Sequence, residues 1–143
     1  MALLDARTWM EHLGSEECWT LLGLVPVGRL GVVVDGLPEI FPVNFVVDDE
    51  AIVFRTDSGS KLAGLAASPG VCFEVDGIDL DDRTGWSVLV KGRAKELGKP
   101  EDVSRASRLP LEFWSVGEKA HWVRIEPTQV TGRRVHHVAP DST

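Results

Sequence analysis

A cluster of side chains that can bind an anion lies close to residue 58 of this 143-residue sequence. Within seven positions the chain carries two cations and three hydroxyl groups: Arg55, Thr56, Ser58, Ser60 and Lys61. Guanidinium, ammonium and hydroxyl groups all donate hydrogen bonds to phosphate oxygens. If a helix begins here, its unpaired backbone N–H groups add to the same attraction. The sequence therefore predicts a site for one phosphate.

An ordinary helix start explains the same residues equally well. In this alternative Ser58 caps the helix and the two cations are solvated. The sequence does exclude two common phosphate sites. "SGSKLAG" lacks the first glycine of a P-loop and has Leu62 where that loop needs a hydroxyl. No GxGxxG motif is followed by a helix and a ribose-binding acid, so a dinucleotide fold is also excluded.

A strand followed by a short helix must position this cluster. The β-branched and aromatic run "AIVFRT" predicts the strand, and "SGSKLAGLAAS" predicts a helix that Pro69-Gly70 ends. Upstream, Asp35-Gly36 separates two apolar runs and predicts a hairpin. Pro38 and Pro42 lack ladder donors, so the second hairpin strand is expected at a sheet edge or at a bulge.

The rest of the chain continues this mainly β pattern. "VCFEV", "GWSVLVKGRAKEL" and "AHWVRIEPTQVTGRRV" predict strands, and "KPEDVSRASRL" predicts a helix with Pro100 in its first turn. About six strands and three or four short helices are expected, in one antiparallel barrel domain spanning residues 1–143. Residues 1–24 are expected to form two short helices, the second capped by Ser15, and residues 139–143 a frayed tail.

Composition limits the partners of this domain. Fifteen Lys and Arg stand against twenty-two Asp and Glu, a formal charge of −7, which predicts no nucleic-acid binding. Five of the acids crowd between Glu74 and Asp82 and predict a solvated acidic loop. No window reaches the roughly 18 apolar residues of a membrane span. No membrane partner and a cytoplasmic location are therefore expected.

Nucleophile and metal motifs are absent from the sequence. The two cysteines, Cys18 and Cys72, lie far apart without a CxxC pattern and predict reduced core residues. No histidine stands in a recognised local motif with a serine or cysteine, which argues against a covalent hydrolase. The four histidines are His12, His121, His136 and His137.

The order of these segments resembles the pyridoxamine 5'-phosphate oxidase-like family of flavin-binding split barrels. The resemblance covers residues 27–135, from "VGRLGVVV" through "PVNF", "FRTDSGSKL" and "GWSVLV" to "HWVRIEPTQVTGRRV". It implies an antiparallel split β-barrel with short helices that works as a homodimer, with cofactor sites at the interface.

The resemblance also implies which residues bind FMN. The phosphate ligands would be Arg55, Thr56, Ser60 and Lys61. The strand "PVNF" would run beside the isoalloxazine ring, and "GWSVLV" would supply two further contacts. Trp122 would reach the flavin of the partner chain. The residues that these two strands imply are Pro42, Val43, Asn44, Phe45, Trp86 and Ser87.

The implied activity is that of an FMN-dependent oxidoreductase that transfers a hydride or electrons to a small acceptor. A vitamin B6 substrate is not implied, because the chain ends "GRRVHHVAP" and has no tyrosine. Two alternatives use the same groove. One is a reductase that depends on a 5-deazaflavin. The other is a non-catalytic flavin- or haem-binding protein, in which His121 would be the axial ligand of a haem.

Overall fold

The computed structural model describes residues 3–5, 8–114 and 120–136. These residues form nine strands and three short helices. In chain order the elements are β1 Leu3–Asp5, β2 Met10–Leu13, α1 Ser15–Leu22, β3 Val27–Val34, β4 Leu37–Asn44, β5 Val46–Val47, β6 Ile52–Thr56, α2 Ser60–Ala67, β7 Gly70–Asp79, β8 Thr84–Glu96, α3 Pro100–Ala106 and β9 His121–Val135.

The sheet closes on itself to form a barrel. Its hydrogen-bonded path runs β1-β2-β9-β8-β7-β3-β4, and every pairing is antiparallel. β4 continues into β5 through Phe45, β5 pairs with β6, and β6 pairs with the first part of β9. The two residues of β5 pair with β6. The preceding strand, β4, pairs with β3 instead, so that β4 and β6 are separated. The fold is an antiparallel split β-barrel.

Tight turns set the register of the two long hairpins. Asp35 and Gly36, with φ of 51° and 79°, join β3 to β4, as the sequence predicted. At the other hairpin, the Asp79 carboxylate accepts the backbone N–H groups of Asp81 and Asp82. The acidic segment from Glu74 to Asp82 was predicted to be a loop. Its first six residues instead belong to β7 and pair with β8.

The N-terminal residues differ from the sequence-based prediction. The first predicted helix is wrong, because β1 and β2 form a hairpin there and β2 pairs with the end of β9. Edge pairing with a long strand outweighs a weak helical periodicity. The second helix is confirmed as α1, but its cap is Gly14, and Ser15 is the first helical residue. Residues 139–143 lie outside the described residues.

The hydrophobic core lies inside the barrel. Phe54 and Phe73 are fully buried there, and Phe45 packs edge-on against Phe73 with ring centroids 4.8 Å apart. Cys18 belongs to this core, as predicted, whereas Cys72 is exposed and that prediction is wrong. Within the described residues, none of the helices is long and apolar enough to cross a membrane.

A salt bridge anchors α3 against the barrel. Arg105 donates to both carboxylate oxygens of Asp48, at 2.8 and 3.0 Å, and Arg124 donates to the same carboxylate at 2.8 Å. Burial opposes ionisation of Asp48, but the two guanidinium groups outweigh it and lower its pKa. This anchor fixes the start of the segment that follows α3 and runs to the gap between β4 and β6.

Candidate functional site

A cleft of about 260 Å³ opens where β4 and β6 separate. Apolar and aromatic side chains form much of its wall, and two cations, Arg55 and Lys61, line it. Five residues predicted from the sequence lie here. The lining residues are Val27, Pro42, Val43, Asn44, Arg55, Lys61, Phe113 and Trp114. A largely apolar cleft with a few convergent polar groups is the usual form of a cofactor site.

Arg55 is held between two aromatic rings. Its guanidinium carbon lies 5.1 Å from the ring centroid of Phe113 and 4.9 Å from that of Trp122. These cation–π contacts fix a side chain that would otherwise have many rotamers. The Nε atom is buried and has no hydrogen-bond partner among the described residues. A buried donor without an acceptor is costly, so this atom fits an anionic ligand.

Lys61 brings a second positive charge to the cleft from the first turn of α2. Its ammonium lies 5.4 Å from the ring centroid of Phe41 on β4. The N-cap residue of α2 is Gly59, which has no side chain that could cap the helix, and the Ser58 hydroxyl lies 3.0 Å from His121 Nε2. The alternative in which Ser58 caps this helix is therefore wrong. The two cations carry positive potential into a chain that is acidic overall.

Asn44 lines the cleft and also positions a neighbouring segment. Its amide oxygen accepts the backbone N–H of Trp114 at 2.9 Å, and its amide nitrogen donates to the carbonyl of Pro26 at 3.3 Å. The side chain therefore ties the segment after α3 to β4. Phe113 and Trp114, which this tie places at the cleft, were missed by the sequence analysis. The adjacent aromatics in "LPLEFW" were the available signal.

The other predicted phosphate and ring residues do not line the cleft. Thr56 is buried and donates to the carbonyl of Asp57 at 3.3 Å. Ser60 is exposed at the first position of α2. Phe45 is a core residue with 5% of its surface exposed. The contacts predicted for these three side chains stay predictions, and Phe45 would contribute only its backbone.

Neither of the two tryptophans predicted to contact the flavin is among the residues that line the cleft. Trp86 lines a separate pocket with Gly77 and Arg134, beside the β7–β8 hairpin end, and Ser87 follows it on β8. Trp122 is only 6% exposed and packs in a second core cluster. Within its own chain, the Trp122 ring makes a cation–π contact with the guanidinium of Arg55. A contact of Trp122 with a partner's flavin stays a prediction.

One unusual carboxyl group lies on the barrel wall. Glu74 has its pKa raised to about 7, first by burial and then by the neighbouring carboxylate of Asp76. Arg29 contacts both acids, at 3.2 and 3.0 Å, and opposes the shift. Among the described residues, no group of three or more His, Cys, Asp or Glu side chains could hold a metal ion.

The barrel and its cleft agree with a known family. A family model described as pyridoxamine 5'-phosphate oxidase matches residues 14–134. The chain belongs to the pyridoxamine 5'-phosphate oxidase family. The match begins at Gly14, so β1 and β2 lie outside it, and it includes all eight residues that line the cleft.

Relatives from this family cover nearly the whole chain. An uncharacterized protein of Mycobacterium tuberculosis is 38% identical over 136 residues, which are 92% of this chain and 88% of the relative. The solved structure of an FAD binding protein from Mycobacterium smegmatis is 41% identical, with a TM-score of 0.71, and covers 87% of this chain and 97% of its own. A FAD-binding protein from Mesorhizobium loti is 26% identical, with a TM-score of 0.72, over 88% of this chain and 98% of its own.

Proposed function

We propose that this chain binds a flavin in the cleft between β4 and β6 and acts as an oxidoreductase toward a small acceptor. The observation that carries the proposal is the Arg55 side chain, which is held by two aromatic rings and has a buried Nε donor without an acceptor among the described residues. Family membership and the FAD-binding relatives support the flavin.

Arg55 and Lys61 would bind the phosphate next to the ribityl chain. This phosphate is common to FMN and FAD, so the cation pair accepts either cofactor. The FAD-binding relatives favour FAD, whereas one pair of cations in the cleft suits the single phosphate of FMN. The adenosine of FAD would therefore extend beyond the cleft.

The remaining cleft residues would hold and shield the ring. Pro42 offers an apolar ring beside the core residue Val43, and Trp114, tied to Asn44, offers an aromatic surface that is 68% exposed. The bound flavin itself supplies the hydride or electron chemistry. The proposal therefore assigns no catalytic acid or base to the residues that line the cleft.

We propose further that the chain works as a homodimer. Leu37 and Ile40 on β4, the strand that forms one wall of the cleft, are 67% and 71% exposed. Exposed apolar side chains beside an open cleft are typical of an interaction surface. Sedimentation at two protein concentrations tests this proposal, since a monomer at both would contradict it.

The cofactor is tested on the protein as purified. We expect a flavin absorption spectrum, and the mass of the molecule released on denaturation distinguishes FMN, FAD and a 5-deazaflavin. If the protein is colourless, titration with FMN and FAD should reconstitute it. A protein that binds neither flavin contradicts the proposal. The mass of a 5-deazaflavin would support the deazaflavin-dependent reductase, and a haem spectrum would support the haem-binding protein.

Turnover is tested separately from binding. The loaded protein is mixed with a reduced nicotinamide donor and a panel of quinones and nitro compounds, and oxidation of the donor is followed. Acceptor-dependent oxidation supports the oxidoreductase. A flavin that stays bound and is not reduced by any donor supports a carrier instead.

A further inference from the structure

Three side chains near the start of β9 form a hydrogen-bonded chain. The hydroxyl of Ser58 lies 3.0 Å from His121 Nε2, and His121 Nδ1 lies 2.6 Å from the carboxylate of Glu96. The residues come from the loop before α2, the start of β9 and the end of β8. Sixty-three positions separate the serine from the histidine, so a local sequence motif could not reveal the pair.

The geometry fixes the role that each group can take. With Glu96 as the acceptor of the Nδ1 proton, Nε2 is the basic nitrogen and accepts the proton of the Ser58 hydroxyl. A serine hydroxyl, an imidazole and an orienting carboxylate in this order are the parts of an activated nucleophile. Ser58 is exposed, so a substrate can approach it.

This chain of groups is distinct from the flavin cleft. Arg55 pairs with Trp122 across the two strands, and the next pair is Thr56 with His121. Because successive side chains on a strand face opposite sides, His121 lies on the face away from the Arg55 guanidinium. On that face Glu96 and Val123 line an apolar pocket of about 260 Å³ beneath α2.

The pocket that Glu96 lines indicates the chemical class of the substrate. Its other walls are Leu62, Leu65, Ala66, Pro69 and Ala94, so it suits a short hydrocarbon group. Gly59, next to Ser58, has φ of +151°, a conformation that residues with a side chain rarely adopt. The turn at Gly59 connects Ser58 to the first turn of α2, where backbone N–H groups are suitable donors for an oxyanion.

We propose that Ser58 is a nucleophile that His121 activates in a second site, which hydrolyses esters of short apolar acids. The Ser58 oxygen attacks the ester carbonyl while its proton passes to His121 Nε2. The bond to the alcohol breaks, and the departing alkoxide takes that proton. Water then repeats the sequence on the acyl-serine and releases the acid. Glu96 is a positioning residue that orients the imidazole.

The test uses the full chain and an active-site-directed fluorophosphonate, followed by peptide mass mapping. The proposal predicts one labelled residue, Ser58, and no label in Ser58→Ala. His121→Gln should slow the labelling about a hundredfold. Ser15→Ala is the matched control, since Ser15 is also exposed next to a helix N-cap glycine, and its labelling should equal the wild type.

Ester hydrolysis provides the second measurement. The proposal predicts that p-nitrophenyl butyrate is hydrolysed with an acyl-Ser58 intermediate, and that Glu96→Gln lowers kcat with little change in KM. Circular dichroism confirms that each variant is folded. Labelling of the wild-type protein needs no variant. This test therefore remains decisive even if a variant fails to fold. No label on wild-type Ser58, or equal hydrolysis by folded Ser58→Ala, would overturn it.

Discussion

The side chain of Asn44 lines the cleft and also holds a neighbouring segment in place. A single asparagine joins two segments that are far apart in sequence, by accepting the N–H of Trp114 and donating to the carbonyl of Pro26. The resemblance implied a direct amide contact to the flavin ring. The structure also gives Asn44 a positioning role toward Trp114, and its contact with a flavin stays a prediction.

Replacing Asn44 tests this role. In Asn44→Ala the backbone N–H of Trp114 loses its acceptor, and a net hydrogen bond is worth about 1 kcal/mol. We therefore expect the amide of Trp114 to exchange with deuterium roughly fivefold faster. The amide of Ala94, which donates to the carbonyl of Pro69 at 2.8 Å, is the internal control and should not change. Equal protection of Trp114 in both proteins would contradict the tie.

Glu74 gives a second prediction at the scale of one residue. Its pKa of about 7 in the folded protein exceeds the ordinary value of 4.5, so the folded state binds this proton more tightly than the unfolded state. The resulting stabilisation is complete below about pH 4.5 and is lost as the pH rises to about 7. Over that window the free energy of unfolding should fall more steeply in the wild type than in Glu74→Gln.

Urea denaturation at a series of pH values measures this difference. Glu39→Gln on β4 is a suitable control, because Glu39 is exposed and should leave the slope unchanged. Identical slopes in the wild type and Glu74→Gln would mean that Glu74 ionises normally in the folded protein.

At the scale of elements, the barrel depends on the close approach of β3 to the core ring of Phe73. A Cβ atom added at Gly28 would lie 2.2 Å from the Phe73 ring, which is fully buried and cannot move aside. Overpacking of this kind costs about 1–3 kcal/mol. Gly28→Ala should therefore lower the free energy of unfolding by that amount, as measured by urea denaturation.

Gly70→Ala is the matched control for this substitution. Gly70 begins β7, and a Cβ atom there would meet nothing within 4 Å. Its free energy of unfolding should stay within about 0.5 kcal/mol of the wild type, as is usual for open sites. If Gly28→Ala were equally harmless, the packing of β3 on Phe73 would differ from that described.

Elements with strong local signals could be predicted from the sequence. The hairpin at Asp35-Gly36, the start of α3 at Pro100 and the strand-to-helix passage around Ser60 all follow from turn and helix-terminus chemistry that acts within a few residues. β1 and β2 could not be predicted, because their pairing depends on the distant end of β9.

The same division applies to the candidate site. Arg55 and Lys61 were found because cations and hydroxyl groups near a helix start form a local pattern. Phe113 and the Ser58–His121 pair were missed, since their contacts join segments that meet only in the folded barrel. Trp86 lines a separate pocket of the same chain, and its predicted contact with a flavin stays a prediction.

At the scale of the whole molecule, the proposed flavin cleft and the proposed serine site use different side chains of the barrel. The gap between β4 and β6 presents two cations and an aromatic wall, which suits a flavin and its phosphate. Near the start of β9, Ser58, His121 and Glu96 lie beside an apolar pocket. Variants at one site should therefore leave the chemistry of the other site intact, because the two sets of side chains share no residue.

The most direct test of the flavin site is the dissociation constant of FMN, measured by fluorescence titration of the apoprotein. Each charge-assisted phosphate contact contributes about 1.5–3 kcal/mol, so Arg55→Ala combined with Lys61→Ala should weaken binding by at least a hundredfold, or about 3 kcal/mol. The control, Lys99→Ala with Arg108→Ala, removes two exposed cations near α3 and should bind FMN as the wild type does. Equal FMN affinity in the wild type and the Arg55/Lys61 double variant would contradict a flavin phosphate in this cleft.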